Sequence, residues 1–98
     1  MAANLGNLGL LAQTRGELAK AEEYFRQSLA MNKELDRKEG MAISLGNLGL
    51  LARTRGDLDQ AEAYLQRALA LFEAVGARPE VEKTERLLQA VREKQGRG

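Results

Sequence analysis

The chain has no histidine, no cysteine, no tryptophan and a single proline, Pro79, in 98 residues. Without imidazole or thiol it has no serine or cysteine triad, no Cys/His zinc site and no disulfide, so nothing in it fixes the redox compartment. Long apolar runs are missing too. The longest, such as Ala68 to Phe72, fall far short of the roughly 20 residues that a membrane-spanning helix needs. The N-terminal residues lack a signal-peptide pattern, and a cytoplasmic protein without membrane contact is expected. An excess of one charge is also absent: 15 Lys+Arg against 14 Asp+Glu leave a net charge of +1. So small a field does not gather phosphates, and no nucleic-acid partner is expected. The length suits one small domain.

What the chain does have is an echo of itself. Residues 1–31 laid over 41–71, an offset of 40, agree at 19 of 31 positions. The densest stretch runs from Leu5 to Leu18 against Leu45 to Leu58, and two of its fourteen positions differ. A period between about 20 and 50 residues marks a solenoid, whose units bury their apolar faces by stacking on one another. Within each unit the apolar spacing is helical. Leu58, Ala61, Leu65, Ala68, Leu69 and Phe72 form one stripe of a 3.6-residue helix. The first copy gives Leu18, Ala21, Phe25, Ser28, Leu29 and Asn32, a stripe that weakens at its last turn. Ahead of it, Leu5, Leu8, Leu11 and Ala12 mark a shorter helix. Thr14-Arg15-Gly16 and Thr54-Arg55-Gly56 are predicted to be the turns between the two helices, because glycine takes backbone angles that other residues avoid.

Each unit is therefore predicted to be a helical hairpin. Glu22–Arg26, Glu34–Lys38 and Glu82–Arg86 are spaced as exposed helical ion pairs, each worth a few tenths of a kcal/mol. Gly76-Ala77-Arg78-Pro79 ends the second long helix, and Pro79 suits the first turn of another. That last helix carries Val81, Thr84, Leu87, Leu88 and Val91 on one side, with Glu85, Arg86, Arg92 and Glu93 turned outward. It drops the glycines and asparagine of the earlier copies, as a capping unit does. The expected organisation is one all-α domain over residues 1–94. Repeat 1 spans about 1–36, repeat 2 about 37–77 and a capping helix about 79–94, with 95–98 a frayed tail.

Helix, Arg-Gly turn, helix, with Leu8-Gly9 and Leu48-Gly49 in the first helices and Ala21 and Ala61 in the second, resembles the tetratricopeptide repeat. Leu5 and Leu45 stand at the family's tryptophan position, Gly16 and Gly56 at its turn glycine, Phe25 and Leu65 at its next aromatic position. The chain departs from the pattern in three places. Ala12 and Ala52 stand at the tyrosine position, Lys33 and Glu73 replace the terminal proline, and the period is 40 rather than 34. The longer period is similar to that of kinesin light chain and the cell-polarity adaptors. The resemblance implies a tetratricopeptide-like α–α superhelix of two hairpins plus a C-terminal capping helix. Gly9 and Gly49 each cost a helix roughly 1 kcal/mol relative to alanine, so close packing of the second helix over the first is expected, with Ala21 and Ala61 opposite. Gly6 and Gly46 lie elsewhere on the wheel and would leave an open floor.

The resemblance also implies that the first helices line a concave groove where a protein or peptide docks. In that register the peptide-binding candidates are Asn7, Leu10 and Gln13 in the first unit, Asn47, Leu50 and Arg53 in the second, and Lys83 and Arg86 in the cap. Ala3, Gly6, Ile43, Gly46, Leu87 and Ala90 stand beside them. An amide has both donor and acceptor, so Asn7 and Asn47 suit the backbone of an extended peptide; equally, each asparagine suits a bond to a neighbouring turn or water. Leu10 and Leu50 offer an apolar strip, or are covered by the second helices or by another copy. Arg53, Lys83 and Arg86 suit a carboxylate, or form a solvated face with Glu82. Ala3 and Ile43 replace the lysine of the family's chaperone-tail clamp, which disfavours that ligand.

Gly6-Asn7-Leu8-Gly9 matches a nucleic-acid-binding GXXG loop in letters alone, since it lies within a helical stripe and has no flanking bases. No acid or base is forced to converge on the outward-facing glutamates, so neither enzyme activity nor a cofactor is expected. The leading expectation is a protein-interaction module. The alternative is structural: near-verbatim hairpins exchange readily between chains, and an uncovered first helix suggests a segment of a longer solenoid or a homodimer through the N-terminal hairpin.

Overall fold

The computed structural model describes residues 2–96, and among them lie five α-helices and no strand. They are α1 (Ala2–Thr14), α2 (Leu18–Glu34), α3 (Lys38–Thr54), α4 (Leu58–Val75) and α5 (Arg78–Lys94). Residues 97 and 98 of the expected tail lie outside the described residues.

Each Arg-Gly break closes its helix as the sequence predicts. Gly16 and Gly56 take φ of +78° and +84°, which lets the next amide turn back on the helix it leaves. Glu17 N–H donates to Ala12 O and Asp57 N–H to Ala52 O, both at 2.9 Å. Asp57 also caps α4 by accepting from Gln60 N–H at 3.1 Å. The α2–α3 turn is made without glycine. Asp36 takes φ +53° there, and Arg37 N–H reaches Asn32 O at 2.9 Å; a short polar side chain tolerates that region best. This turn ends α2 at Glu34 and begins α3 at Lys38. Glu34 and Lys38 therefore belong to different helices, and the helical ion pair expected between them is not formed among the described residues.

The helices pack in chain order, α1 on α2 and α3 on α4 as hairpins, with α3 on α2 and α5 on α4 joining them. Ala12, Ala21, Phe25, Leu48 and Leu51 are buried together. Ala52, Ala61, Leu65, Leu88 and Val91 form the same cluster 40 residues on. A third cluster, Ala42, Leu45, Ala68 and Phe72, fills the second hairpin. Tyr64, which the spacing argument passed over, packs against all three.

The helical glycines mark the closest approach. A β-carbon on Gly9 would lie 2.5 Å from Phe25 Cε1, and one on Gly49 would lie 2.8 Å from Leu65 Cγ. The second helix does press on the first: Phe25 faces Gly9 most closely, one turn beyond the expected Ala21, while Gly49 meets Leu65 and also the expected Ala61, whose carbonyl oxygen would lie 3.4 Å from the added β-carbon. Both alanines are fully buried.

Two departures are informative. The weakened end of the first long stripe is buried after all: Asn32 Nδ2 donates to Ser28 O at 2.8 Å, and Ser44 Oγ donates to Ser28 Oγ at 3.0 Å. Hydrogen bonding makes polar burial tolerable there. Leu8 and Leu11 depart the other way, being 42% and 47% exposed while their counterparts Leu48 and Leu51 are each 2% exposed. The difference is the covering helix: α2 covers α3, and no described helix covers that side of α1.

Charged groups stitch the outer rows. Glu22 holds Arg26 at 2.7 Å on its own helix and Arg55 at 2.8 Å from the next hairpin. The Glu22 hydrogen bond, aided by Tyr64, holds the Arg26 guanidinium above its usual pKa. Arg92, expected to face outward, keeps a partly exposed side chain and also reaches Glu62 at 3.0 Å, while Gln95 donates to Asp59 Oδ1 at 2.9 Å. Glu82 and Arg86 share α5 but form no ion pair among the described residues.

Candidate functional site in the groove of the first helices

Two adjoining cavities lie along α1, α3 and α5, and Glu39, Ile43 and Asn47 line both. The first, of about 380 Å³, has Asn7 and Leu10 of α1 on one wall. Its floor is the buried polar group Ser28, Asn32 and Ser44, and Arg37 stands with Glu39 among its lining residues. The second, of about 230 Å³, has Leu50 beside Asn47 and is closed by Lys83 and Leu87 of α5. Leu65 and Phe72 of α4 line it as well, together with Gly46.

Gly6 and Gly46 account for this openness. A β-carbon on either would meet nothing within 4 Å, so neither glycine is required by helix packing. Both line the cavities, as the open floor read from the wheel requires.

The structure gathers five of the eight candidate residues. Asn7, Leu10 and Asn47 share the first cavity; Asn47, Leu50 and Lys83 share the second. Leu10 is exposed rather than covered by α2, and Leu50 is half-buried. Gln13, Arg53 and Arg86 line neither cavity, so the cationic trio of Arg53, Lys83 and Arg86 does not converge there. The Ala3 side chain lies outside the described residues.

Sequence reasoning missed the polar floor and the charged rim. Ser28 and Asn32 sit on a second helix, and the wheel assigned the groove to first helices alone. Arg37 and Glu39 lie in the stretch between the two matched copies, where the internal repeat says nothing. A rim of Arg37, Glu39, Glu80 and Lys83 has both signs of charge and no single-sign field. Among the described residues no group of three His, Cys, Asp or Glu could hold a metal ion, and no helix is long and apolar enough to cross a membrane. A wider hollow of about 430 Å³ between α4 and α5 contains none of the candidates.

Stacked hairpins with small residues at the helix crossings and a groove along the first helices define a helical-repeat protein. The tetratricopeptide repeat profile matches residues 1–74, and the chain belongs to that family. Among curated proteins no relative matches it. The solution structure of the designed protein DA05 is similar in fold, with a TM-score of 0.75 at 24% identity over 85% of this chain and 84% of that one. Tetratricopeptide repeats generally mediate protein–protein interaction and are generally not enzymes.

Proposed function

We propose that the groove along α1, α3 and α5 binds an extended peptide or a partner helix. The observation carrying this reading is the position of Asn47, on the ridge between two open cavities, with Asn7 in the first of them. An amide there offers donor and acceptor to a peptide backbone whatever its sequence. Leu50, Leu87 and Phe72 in the second cavity suit an apolar side chain; the polar floor of the first suits a polar one. Glu39, Glu80 and Lys83 around the second cavity favour a ligand without a block of like charges. The 40-residue spacing supports the longer-repeat type, similar to kinesin light chain, since α2 and α4 run to 17 and 18 residues.

The test is a peptide-library screen of the wild type against the Asn7→Ala, Asn47→Ala double variant. Selected peptides should bind the wild type and lose at least tenfold in affinity for the variant. Equal binding by both proteins removes the asparagines from the site.

A second reading rests on the exposure of Leu8 and Leu11. Bare leucines on a helix face favour self-association through the N-terminal hairpin, which sedimentation across a concentration series reads directly.

A further inference from the structure

Three pairs of apolar side chains in this chain have the same form, and two sockets receive them. Leu48 and Leu51 of α3 enter a socket made by Ala12, Ala21 and Phe25. Leu88 and Val91 of α5 enter its counterpart 40 residues on, made by Ala52, Ala61 and Leu65. Leu8 and Leu11 of α1 are the third pair, and they are bare. Residues 5–12 are identical to 45–52, so α1 repeats the very segment of α3 that fills the first socket. The second socket differs from the first in one residue, Leu65 for Phe25. We infer that this second socket fits α1 of a second copy, with α5 as its resident guard, so that chains join head to tail when α5 yields.

The charges agree with that register. Where α3 meets α2, Arg55 crosses to Glu22 at 2.8 Å. The equivalent pair for a second copy is its Arg15 with Glu62. In the single chain Arg15 has no ion pair among the described residues, and Glu62 is held by Arg92 and Gln95 of α5. The guard thus supplies a stand-in for the same contact.

Helix α5 is also suited to leave. It packs chiefly on α4, whereas α3 is held between α2 and α4. Val91 is one methylene smaller than the Leu11 that would replace it. Gly76, in the left-handed region at φ +72°, stands between α4 and α5 as a ready pivot. A symmetric pairing of two α1 helices is the poorer fit, because it sets leucine against leucine with no alanine-floored socket on either side. The head-to-tail contact is heterologous: each added copy leaves a free head and a free socket for the next, so assembly passes beyond the dimer.

This inference rests on the self-association reading, and the experiment separates the two. The mass of the full chain is followed by sedimentation velocity from micromolar to millimolar concentration, beside two full-length variants. Leu8→Lys with Leu11→Lys blocks the head at exposed positions. Ala68→Cys with Thr84→Cys locks α5 to α4, since the equivalent Ser28 and Ser44 hydroxyls lie 3.0 Å apart and the chain has no other cysteine. The wild type should grow past dimer as concentration rises. Each variant should remain monomeric alone while the lock is oxidised, their equimolar mixture should stop at a heterodimer, and reducing the lock should restore growth.

A wild type that stays monomeric at millimolar concentration overturns both readings. A closed dimer that the lysines abolish and the lock leaves intact overturns head-to-tail joining and keeps the N-terminal dimer. Should the cysteines fail to bridge, Arg15→Glu remains decisive. That residue is exposed and has no ion pair among the described residues of the single chain, and reversing its charge should weaken association at least about fivefold, the scale of losing one partly exposed ion pair; unchanged association overturns the register.

Discussion

Gly49 lies so close to Leu65 that a β-carbon added to it would sit 2.8 Å from Leu65 Cγ, while Gly46, three residues earlier on the same helix, would meet nothing within 4 Å. Alanine should therefore act in opposite directions at the two sites. At residue 49 the overpacking cost of about 1–3 kcal/mol outweighs the gain in helix propensity. At residue 46 only the gain remains, about 0.5–1 kcal/mol. Urea denaturation of Gly49→Ala and Gly46→Ala should show a lower midpoint for the first and a higher one for the second.

The same Gly46→Ala chain should bind peptide less well. Its new methyl group points into open space lined by Asn47, Leu50 and Leu87, where the groove reading places a ligand side chain. A stabilised protein with several-fold weaker peptide binding, measured by titration calorimetry, is the expected outcome. Unchanged affinity would place the ligand elsewhere.

How much of this could be read from the letters depends on which residues repeat. The hairpins, the Arg-Gly turns and the tight glycines were legible because 12 of the 14 positions from Leu5 to Leu18 recur 40 residues later, and a shared period reports a shared environment. Where the copies diverge, the pattern fell silent. Ser28 and Asn32 replace Ala68 and Phe72, and only coordinates show that their polar groups close on Ser44 and the backbone. Asp36 makes a left-handed turn with none of the glycine that marked the others. Lys83 separates from Arg53 and Arg86 for a different reason. A helical wheel gives direction around an axis, whereas a cavity also depends on how far along the stack each side chain reaches.

The buried serines should show a non-additive response. Ser44 Oγ donates to Ser28 Oγ, so removing the Ser28 hydroxyl leaves the buried Ser44 hydroxyl without that acceptor, at about 1–3 kcal/mol, whereas removing both hydroxyls leaves no such orphan. Ser28→Ala should thus be destabilising, and Ser28→Ala with Ser44→Ala should be no worse than the single change. A double variant losing the sum of both single losses would mean that the Ser28–Ser44 bond is not the relevant contact.

Glu22 and Arg55 tie the two hairpins together at 2.8 Å, with both side chains partly open to solvent. Exposed pairs contribute little, typically below about 1 kcal/mol, and salt screens them. A double-mutant cycle on Glu22→Gln and Arg55→Gln should give a coupling of that size at low ionic strength, and it should shrink in 1 M salt. A larger, salt-insensitive coupling would show that Glu22 orders the interface by another route.

Leu8 and Leu48 provide the sharpest contrast, because they sit in identical sequence from residue 5 to 12 and from 45 to 52 and differ in what covers them. Leu48 is 2% exposed in the socket between hairpins, and truncation to alanine there removes buried methyl groups and leaves a cavity, at about 2–5 kcal/mol. Leu8 is 42% exposed, so its truncation forfeits only a fraction of that and should cost under about 1 kcal/mol in dilute solution, where the chain is on its own. Thermal melts of Leu8→Ala and Leu48→Ala at micromolar concentration measure both. Equal losses would mean that something already covers α1 in solution, and the Leu8→Ala loss should then grow with protein concentration, because a partner that binds only the folded chain stabilises it by mass action.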